Sequence, residues 1–291
     1  MRAIRHVRTR FGNIAYTEHG SGPCALFVHG VFLNGHLWRN VIDRVARTRR
    51  CIAIDLMAHG ETEISTTQDV SFSAQAEMIA TFCEALGLDE VDLVANDSGG
   101  GIAQIFAARF PERLRTLTLT NCDVHDNYPP KAFEATRAAV AQGKLGAMLQ
   151  QMLSAVTVAR SRFGIAYEKP ERLSEDTIRK YLAPLVATPR RLRNLERWFI
   201  SAEDCSATVA IEPELRQLMT PTLIVWGTAD PFFCVEWAHW LHRTIPGARK
   251  VIELEGAKLF FPEERPDELA SALLEHWRAT ADVRVEERRW A

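Results

Sequence analysis

The sequence predicts an α/β protein: a mixed, mostly parallel eight-stranded sheet with helices on both faces. Short apolar, β-rich runs recur between stretches of helical periodicity, the pattern of crossover units that build a parallel sheet. A hairpin signal near the N-terminus adds an antiparallel start. At 291 residues the chain is long enough to bury a core that needs no disulfide or metal support.

The elements follow in order. Ala3 to Arg8 and Ile14 to Glu18 form the first pair of strands, joined at Phe11-Gly12-Asn13. Six further runs supply the rest: Ala25 to Val28, Ile52 to Asp55, Val91 to Ala95, Leu117 to Asn121, Thr222 to Trp226 and Lys250 to Leu254. Between the fourth and fifth strands, Phe72, Ala76, Ile79, Cys83 and Leu86 recur at helical spacing, with Ser71 placed to cap the helix and Gly87 to end it. Pro266 suits the first turn of a C-terminal helix whose apolar face is Leu269, Leu273 and Trp277. Residues 126–216 hold helical patterns and no convincing strand. They divide the chain into a core, 1–125 with 217–291, and an inserted helical lid, 126–216, rich enough in Ala, Leu, Met and Phe to cover a cavity. A helical decoration remote from any site fits the same pattern.

Composition narrows the function classes. Against 37 Asp and Glu stand 35 Lys and Arg, for a formal net charge of −2, with 47% hydrophobic residues. Phosphate recognition needs clustered cations, so a nucleic-acid partner is not expected. The longest basic cluster, Arg47 with Arg49 and Arg50, reads as a solvated turn. No stretch approaches the ~20 apolar residues that span a bilayer, and the Met1–Thr9 start, with Arg2, Arg5 and Arg8, lacks the apolar stretch of a signal peptide. A cytoplasmic location without membrane attachment is the expectation. The six cysteines are scattered without a C-x-x-C pair and read as small buried hydrophobes, and the nine histidines show no metal-ligand spacing. Neither a metal nor a cofactor is expected, and the sequence specifies no oligomeric state.

The most informative stretch is Val91-Asp-Leu-Val-Ala-Asn-Asp97-Ser-Gly-Gly-Gly-Ile-Ala-Gln104, a strand entering a glycine-rich turn and then a helix. This is the layout of a nucleophile elbow. Its central residue is strained, and the residues two before and two after must be small to let strand and helix pass close together. Centred on Asp97 those neighbours are Ala95 and Gly99; centred on Ser98, the bulk of Asn96 would clash. The frame therefore selects Asp97, with Ser98 N–H available as an anion-binding donor at the helix start.

With the elbow, four further motifs resemble the α/β-hydrolase superfamily over nearly the whole chain. They are His29-Gly30, Asp55-Leu-Met-Ala-His59-Gly60, Trp226-Gly-Thr-Ala-Asp230-Pro, and Gly256 leading to Glu264-Arg265-Pro266. The branch it most resembles has an aspartate nucleophile and includes haloalkane dehalogenases and epoxide hydrolases. The resemblance implies that Val31 N–H joins Ser98 N–H in an oxyanion hole. It implies that Asp230, or Asp123 at the end of the preceding strand, is the acid that orients a catalytic histidine. Each has a plainer reading, since Asp-Pro is common turn chemistry and Asp123 could cap the first lid helix. His59 reads as part of a structural turn.

The family's histidine falls in Glu255-Gly-Ala-Lys-Leu-Phe-Phe-Pro262, and its position is Leu259; the whole stretch 251–266 contains no histidine. A carboxylate needs no base to attack an electrophilic carbon, but hydrolysis of the resulting ester needs an activated water. Three accounts stay open. Lys258 or His125 supplies the base; Asp97 is itself a general base in a non-hydrolytic lyase or isomerase; or the chain is a silent ligand-binding protein on an enzyme scaffold. An acidic residue at a strained apex is costly to keep, which favours an enzyme.

The substrate is expected to be a small, largely apolar molecule. Phe32, Trp38, Phe232, Phe233, Phe260 and Phe261 lie near strand ends, with Phe32 and Trp38 as candidate substrate contacts. Dehalogenases of the branch usually place Trp after the nucleophile, where this chain has Ser98. Epoxide hydrolases usually show His-Gly-x-Pro, where it has Phe32; their paired lid tyrosines would come from Tyr128, Tyr167 and Tyr181.

Overall fold

The structure, a computed structural model, describes residues 3–201 and 205–290. Met1, Arg2, Ala291 and the part of the expected lid at 202–204 lie outside the described residues. Eight strands form one sheet: β1 (Ile4–Thr9), β2 (Gly12–His19), β3 (Cys24–Val28), β4 (Arg50–Ile54), β5 (Val91–Asp97), β6 (Leu114–Cys122), β7 (Thr222–Gly227) and β8 (Ala248–Leu254). Their order is β1-β2-β4-β3-β5-β6-β7-β8. The β1–β2 and β2–β4 pairs are antiparallel and all others parallel, as a hairpin start followed by crossover units requires. The central strands β3 and β5 are buried on both faces, which is why they read as continuous apolar runs.

The helices are α1 (Arg39–Val45), α2 (Phe72–Ala85), α3 (Ser98–Arg109), α4 (Glu134–Ala141), α5 (Leu145–Ser154), α6 (Val156–Arg162), α7 (Glu175–Val186), α8 (Pro189–Ser201), α9 (Ser206–Ala210), α10 (Glu212–Leu215), α11 (Val235–Thr244), α12 (Phe261–Glu264) and α13 (Pro266–Trp290). Ser71 caps α2, its Oγ accepting from Ala74 N–H at 3.2 Å, and Gly87 follows the helix at φ +63°, a value that suits a residue without Cβ. Between β6 and β7 the described residues are helical and contain no strand. This segment is tied to the core through Glu263, whose carboxylate meets Arg39 Nη2 at 2.6 Å and accepts from Tyr181 OH at 2.7 Å and Tyr167 OH at 3.2 Å.

Several strands run longer than the sequence predicts. β5 continues to Asp97 and β6 starts at Leu114, because pairing with neighbouring strands carries residues that propensity alone leaves outside. Within the basic cluster Arg47 is exposed in a turn, as expected, whereas Arg49 and Arg50 are half-buried. Arg49 sits 2.8 Å from the buried Asp92 carboxylate and over the Trp277 ring, and Arg50 pairs with Glu18. The cysteines divide: Cys24, Cys51, Cys83 and Cys122 are buried, whereas Cys205 is half-buried and Cys234 exposed. No helix among the described residues is long and apolar enough to cross a membrane.

Candidate active site

β5 passes into α3 with no intervening loop, and Asp97 is the junction, at φ +59° and ψ −138°. This region is nearly closed to residues other than glycine, and the tight packing around it holds the residue there. A Cβ on Gly99 would lie 2.3 Å from His29 O, and one on Gly30 would lie 2.3 Å from Asp97 Cγ and Oδ2. The small-neighbour frame thus selects the residue that carries the strain, Asp97 rather than Ser98.

The Asp97 carboxyl is buried and receives hydrogen bonds from the Ser98 and Val31 backbone amides. Its pKa is raised to about 7, chiefly by burial and in part by the negative charge of Asp230, against the opposing pull of the Ser98 and Val31 amides. The expected anion-binding pair therefore grips the carboxylate itself.

Asp97 opens into a cavity of about 640 Å³ whose wall is mostly apolar. Phe32, Phe232, Phe260 and Leu259 line it from the core, and Phe133, Met148, Phe163, Trp198 and Phe199 from the 126–216 segment. Trp38 does not line it. It is wholly buried against Phe27, 5.3 Å between ring centroids, because the helical turn Gly35–Trp38 packs on β3 and β4. Phe233 and Phe261 are core as well. Among the tyrosines only Tyr128 reaches the cavity wall; Tyr167 and Tyr181 are turned to Glu263.

The remaining candidates separate by position. Asp123 lies on the cavity wall beside Asp97, and its N–H points to Asp97 O at 3.4 Å. It is not a helix cap, since the first helical turn beyond it begins at Lys131. Burial and then the charge of Asp97 hold its pKa well above the carboxylate range. Asp230 is buried off the wall, accepting from Phe232 N–H at 2.8 Å and Asn121 Nδ2 at 2.7 Å. Burial raises its pKa to about 7 against the pull of these donors and of the Lys258 cation. Lys258, the other candidate base, does not line the cavity, and its charge acts on Asp230. His125 is also misplaced for that part: its Nε2 is 2.9 Å from Glu212 and its ring packs on Trp240.

Among the described residues no histidine lines the cavity in place of Leu259. The buried His29 and His59 are structural. His29 Nε2 accepts from Leu56 N–H at 3.0 Å, so Nδ1 carries the proton toward Gly30 O, and burial lowers the two pKa values to about 3 and about 4. Among the described residues no group of three His, Cys, Asp or Glu could hold a metal ion.

Two asparagines escape the sequence reading. Asn121 ties β6 to β7, accepting from Gly227 N–H at 2.6 Å while donating to Asp230. Asn96 donates to Thr120 Oγ1 and to Leu259 O, both at 3.0 Å, and so fixes the loop carrying Leu259 beside the elbow. The signal was there: buried amides inside apolar strands must find partners.

Known proteins are similar to this chain in sequence and in fold. The family described as alpha/beta hydrolase fold matches residues 26–264. Haloalkane dehalogenase 2 of Mycobacterium tuberculosis is 26% identical over 275 residues, covering 91% of this chain and 92% of that protein. The haloalkane dehalogenase of Agrobacterium fabrum is 29% identical over 282 residues, 89% of this chain and 86% of that one. The crystal structure of an α/β hydrolase fold protein from Burkholderia ambifaria superposes with a TM-score of 0.81 at 21% identity, covering 94% of this chain and 100% of that one, a likeness of fold alone. With the family match spanning β4 to β8, most of β3, the elbow and the loop at 259, the chain belongs to the α/β-hydrolase fold family, with haloalkane dehalogenases among its relatives.

Proposed function

We propose that this protein is a hydrolase that acts on a small, largely apolar molecule through Asp97 as nucleophile, under a lid formed by residues 126–216. The observation that carries the reading is the Asp97 carboxyl at the strained apex of the elbow, with two amides on it, facing an apolar cavity lined by both the core and the 126–216 segment. The amides hold the carboxyl in place, and the cavity brings an electrophilic carbon to it. Attack forms an ester on Asp97, and the same amides receive the oxyanion when water adds to that ester. Haloalkane dehalogenases among the relatives support a carbon electrophile, although Ser98 stands where that group usually has tryptophan.

A second reading, elimination or isomerisation with Asp97 as general base, draws on one observation, the leucine at 259 where hydrolysis would want a histidine. Peptide mass analysis after exposure to 1-bromobutane separates the two. The expected result is an alkyl adduct on the Asp97 peptide that persists, and an unmodified peptide would count against nucleophilic attack. Leu259→His is expected to shorten the adduct's lifetime by supplying a base beside it; an unchanged lifetime would mean that the missing histidine is not the limiting defect. Ligand binding that survives Asp97→Asn, with no turnover by the wild type, would favour a receptor.

The pH dependence has a defined sign. Only ionised Asp97 attacks, and its pKa is raised to about 7 by burial. The alkylation rate is expected to climb tenfold per pH unit below about pH 6 and level off above about pH 8. A profile flat from pH 5 to 8 would contradict a desolvated carboxyl.

A further inference from the structure

The cavity holds a second carboxyl that the reading above leaves unused. Buried carboxylates elsewhere in the chain have partners: Asp92 meets Arg49, Arg115 and Thr116, and Asp55 accepts from the Gly35 and Glu61 amides. Asp123 differs. It is 2% exposed, lies on the wall of the cavity that Asp97 opens into, and its Oδ1 has no hydrogen-bond partner among the described residues.

Its backbone is held firmly by contrast. Gln104 Nε2 donates to Asp123 O at 2.7 Å, and Gly101 leaves the room its Cβ needs, since a side chain there would come within 3.1 Å. A carboxyl desolvated without a donor keeps its proton, because the isolated anion is too costly beside a second negative group. The site thus pairs an anion-ready acid gripped by two amides with a neutral acid that has a proton to give.

Resting on the reading of Asp97 as nucleophile, we propose that Asp123 is the proton donor of the first half-reaction and the base of the second, and that the substrate's leaving atom is one that takes a proton, such as the oxygen of a strained cyclic ether. In the first half an Asp97 oxygen bonds to carbon, the carbon–oxygen bond breaks, and the leaving oxygen takes the Asp123 proton. The products are a hydroxyalkyl ester on Asp97 and an ionised Asp123. In the second half Asp123 takes a proton from water as its oxygen adds to Asp97 Cγ. The Val31 and Ser98 amides receive the oxyanion, and collapse expels the product oxygen, which takes the acid proton left on Asp97. Both acids return to their starting states. Asp123 does in sequence what a histidine at 259 would otherwise do in the second half alone.

A halide leaving group breaks this cycle. Halide takes no proton, so Asp123 stays neutral after alkylation and no base is generated for the ester.

Wild-type protein given styrene oxide is therefore expected to turn over many times, while 1-bromobutane releases one bromide per chain and leaves the ester on Asp97. Asp123→Asn is expected to slow styrene oxide turnover by about 10²–10⁴-fold. Repeated turnover of 1-bromobutane by the wild type, ester accumulation with styrene oxide as well, or full styrene oxide turnover by Asp123→Asn would each overturn the proposal for Asp123. Absence of any Asp97 ester with either probe would overturn the nucleophile reading beneath it, a different readout. Should Asp123→Asn not fold, the two-probe comparison on the wild type decides alone.

Discussion

Asp97→Asn is expected to lower turnover by roughly 10⁴-fold or more and at the same time to stabilise the protein at pH 8. Asparagine has the shape of the acid, tolerates a positive φ, and can still accept from the backbone amides, so the elbow is kept while the proposed nucleophile is lost. The stability gain follows from the raised pKa. Between about pH 4 and pH 7 the folded state holds a proton on Asp97 that the unfolded chain has released, so folding stability falls as pH rises through that window. Above pH 7 the penalty is complete, on the order of 4 kcal/mol. Removing the charge restores that amount at pH 8 and progressively less toward pH 4. Denaturation midpoints of both proteins at pH 4.5 and pH 8 measure it, and an equal gap at the two pH values would show that Asp97 is not desolvated.

Gly30→Ala is expected to be the most damaging single methyl group near the site. The added Cβ would sit 2.3 Å from Asp97 Cβ, Cγ and Oδ2, a distance no packed pair tolerates. Either the carboxyl leaves its amides or the Gly30-Val31 loop retreats, and both separate Asp97 from Val31 N–H. Turnover should fall about 10²-fold or more, with a stability loss of about 1–3 kcal/mol. Gly87→Ala supplies the control. Gly87 has a positive φ but open space around the position, so it should cost about 1 kcal/mol and leave turnover unchanged. Equal activity losses in the two variants would mean that the close approach at Gly30 has no part in the site.

Much of the architecture is legible in the chain because it rests on short-range rules. The Ser71 cap, the Gly87 terminator and the hairpin at Phe11-Gly12-Asn13 depend on neighbours within a few residues. So does the elbow, where the size of Ala95 and Gly99 selects Asp97 through sterics alone. The absence of a histidine at 259 is likewise plain in the sequence, and the cavity wall shows leucine there.

Which of several similar residues reaches the cavity was not legible. Phe32 and Trp38 are six residues apart on one connection, yet one lines the cavity and the other is buried against Phe27. Tyr128, Tyr167 and Tyr181 look alike in sequence, but Glu263, more than eighty residues away, claims the last two. Lys258 and His125 are chemically able to serve as bases, but neither lines the cavity, and His125 is engaged by Glu212.

By itself the sequence determined the alternation of strand and helix, the sharp bend at Asp97 and the loss of the histidine, since each is set by the size and backbone freedom of residues adjacent in the chain. Only the tertiary structure decided which acid stands unpartnered beside Asp97. The protonation of a buried carboxyl depends on donors and charges brought within a few ångströms by elements distant in sequence, and Asp123 differs from Asp230 only in what the fold places next to it.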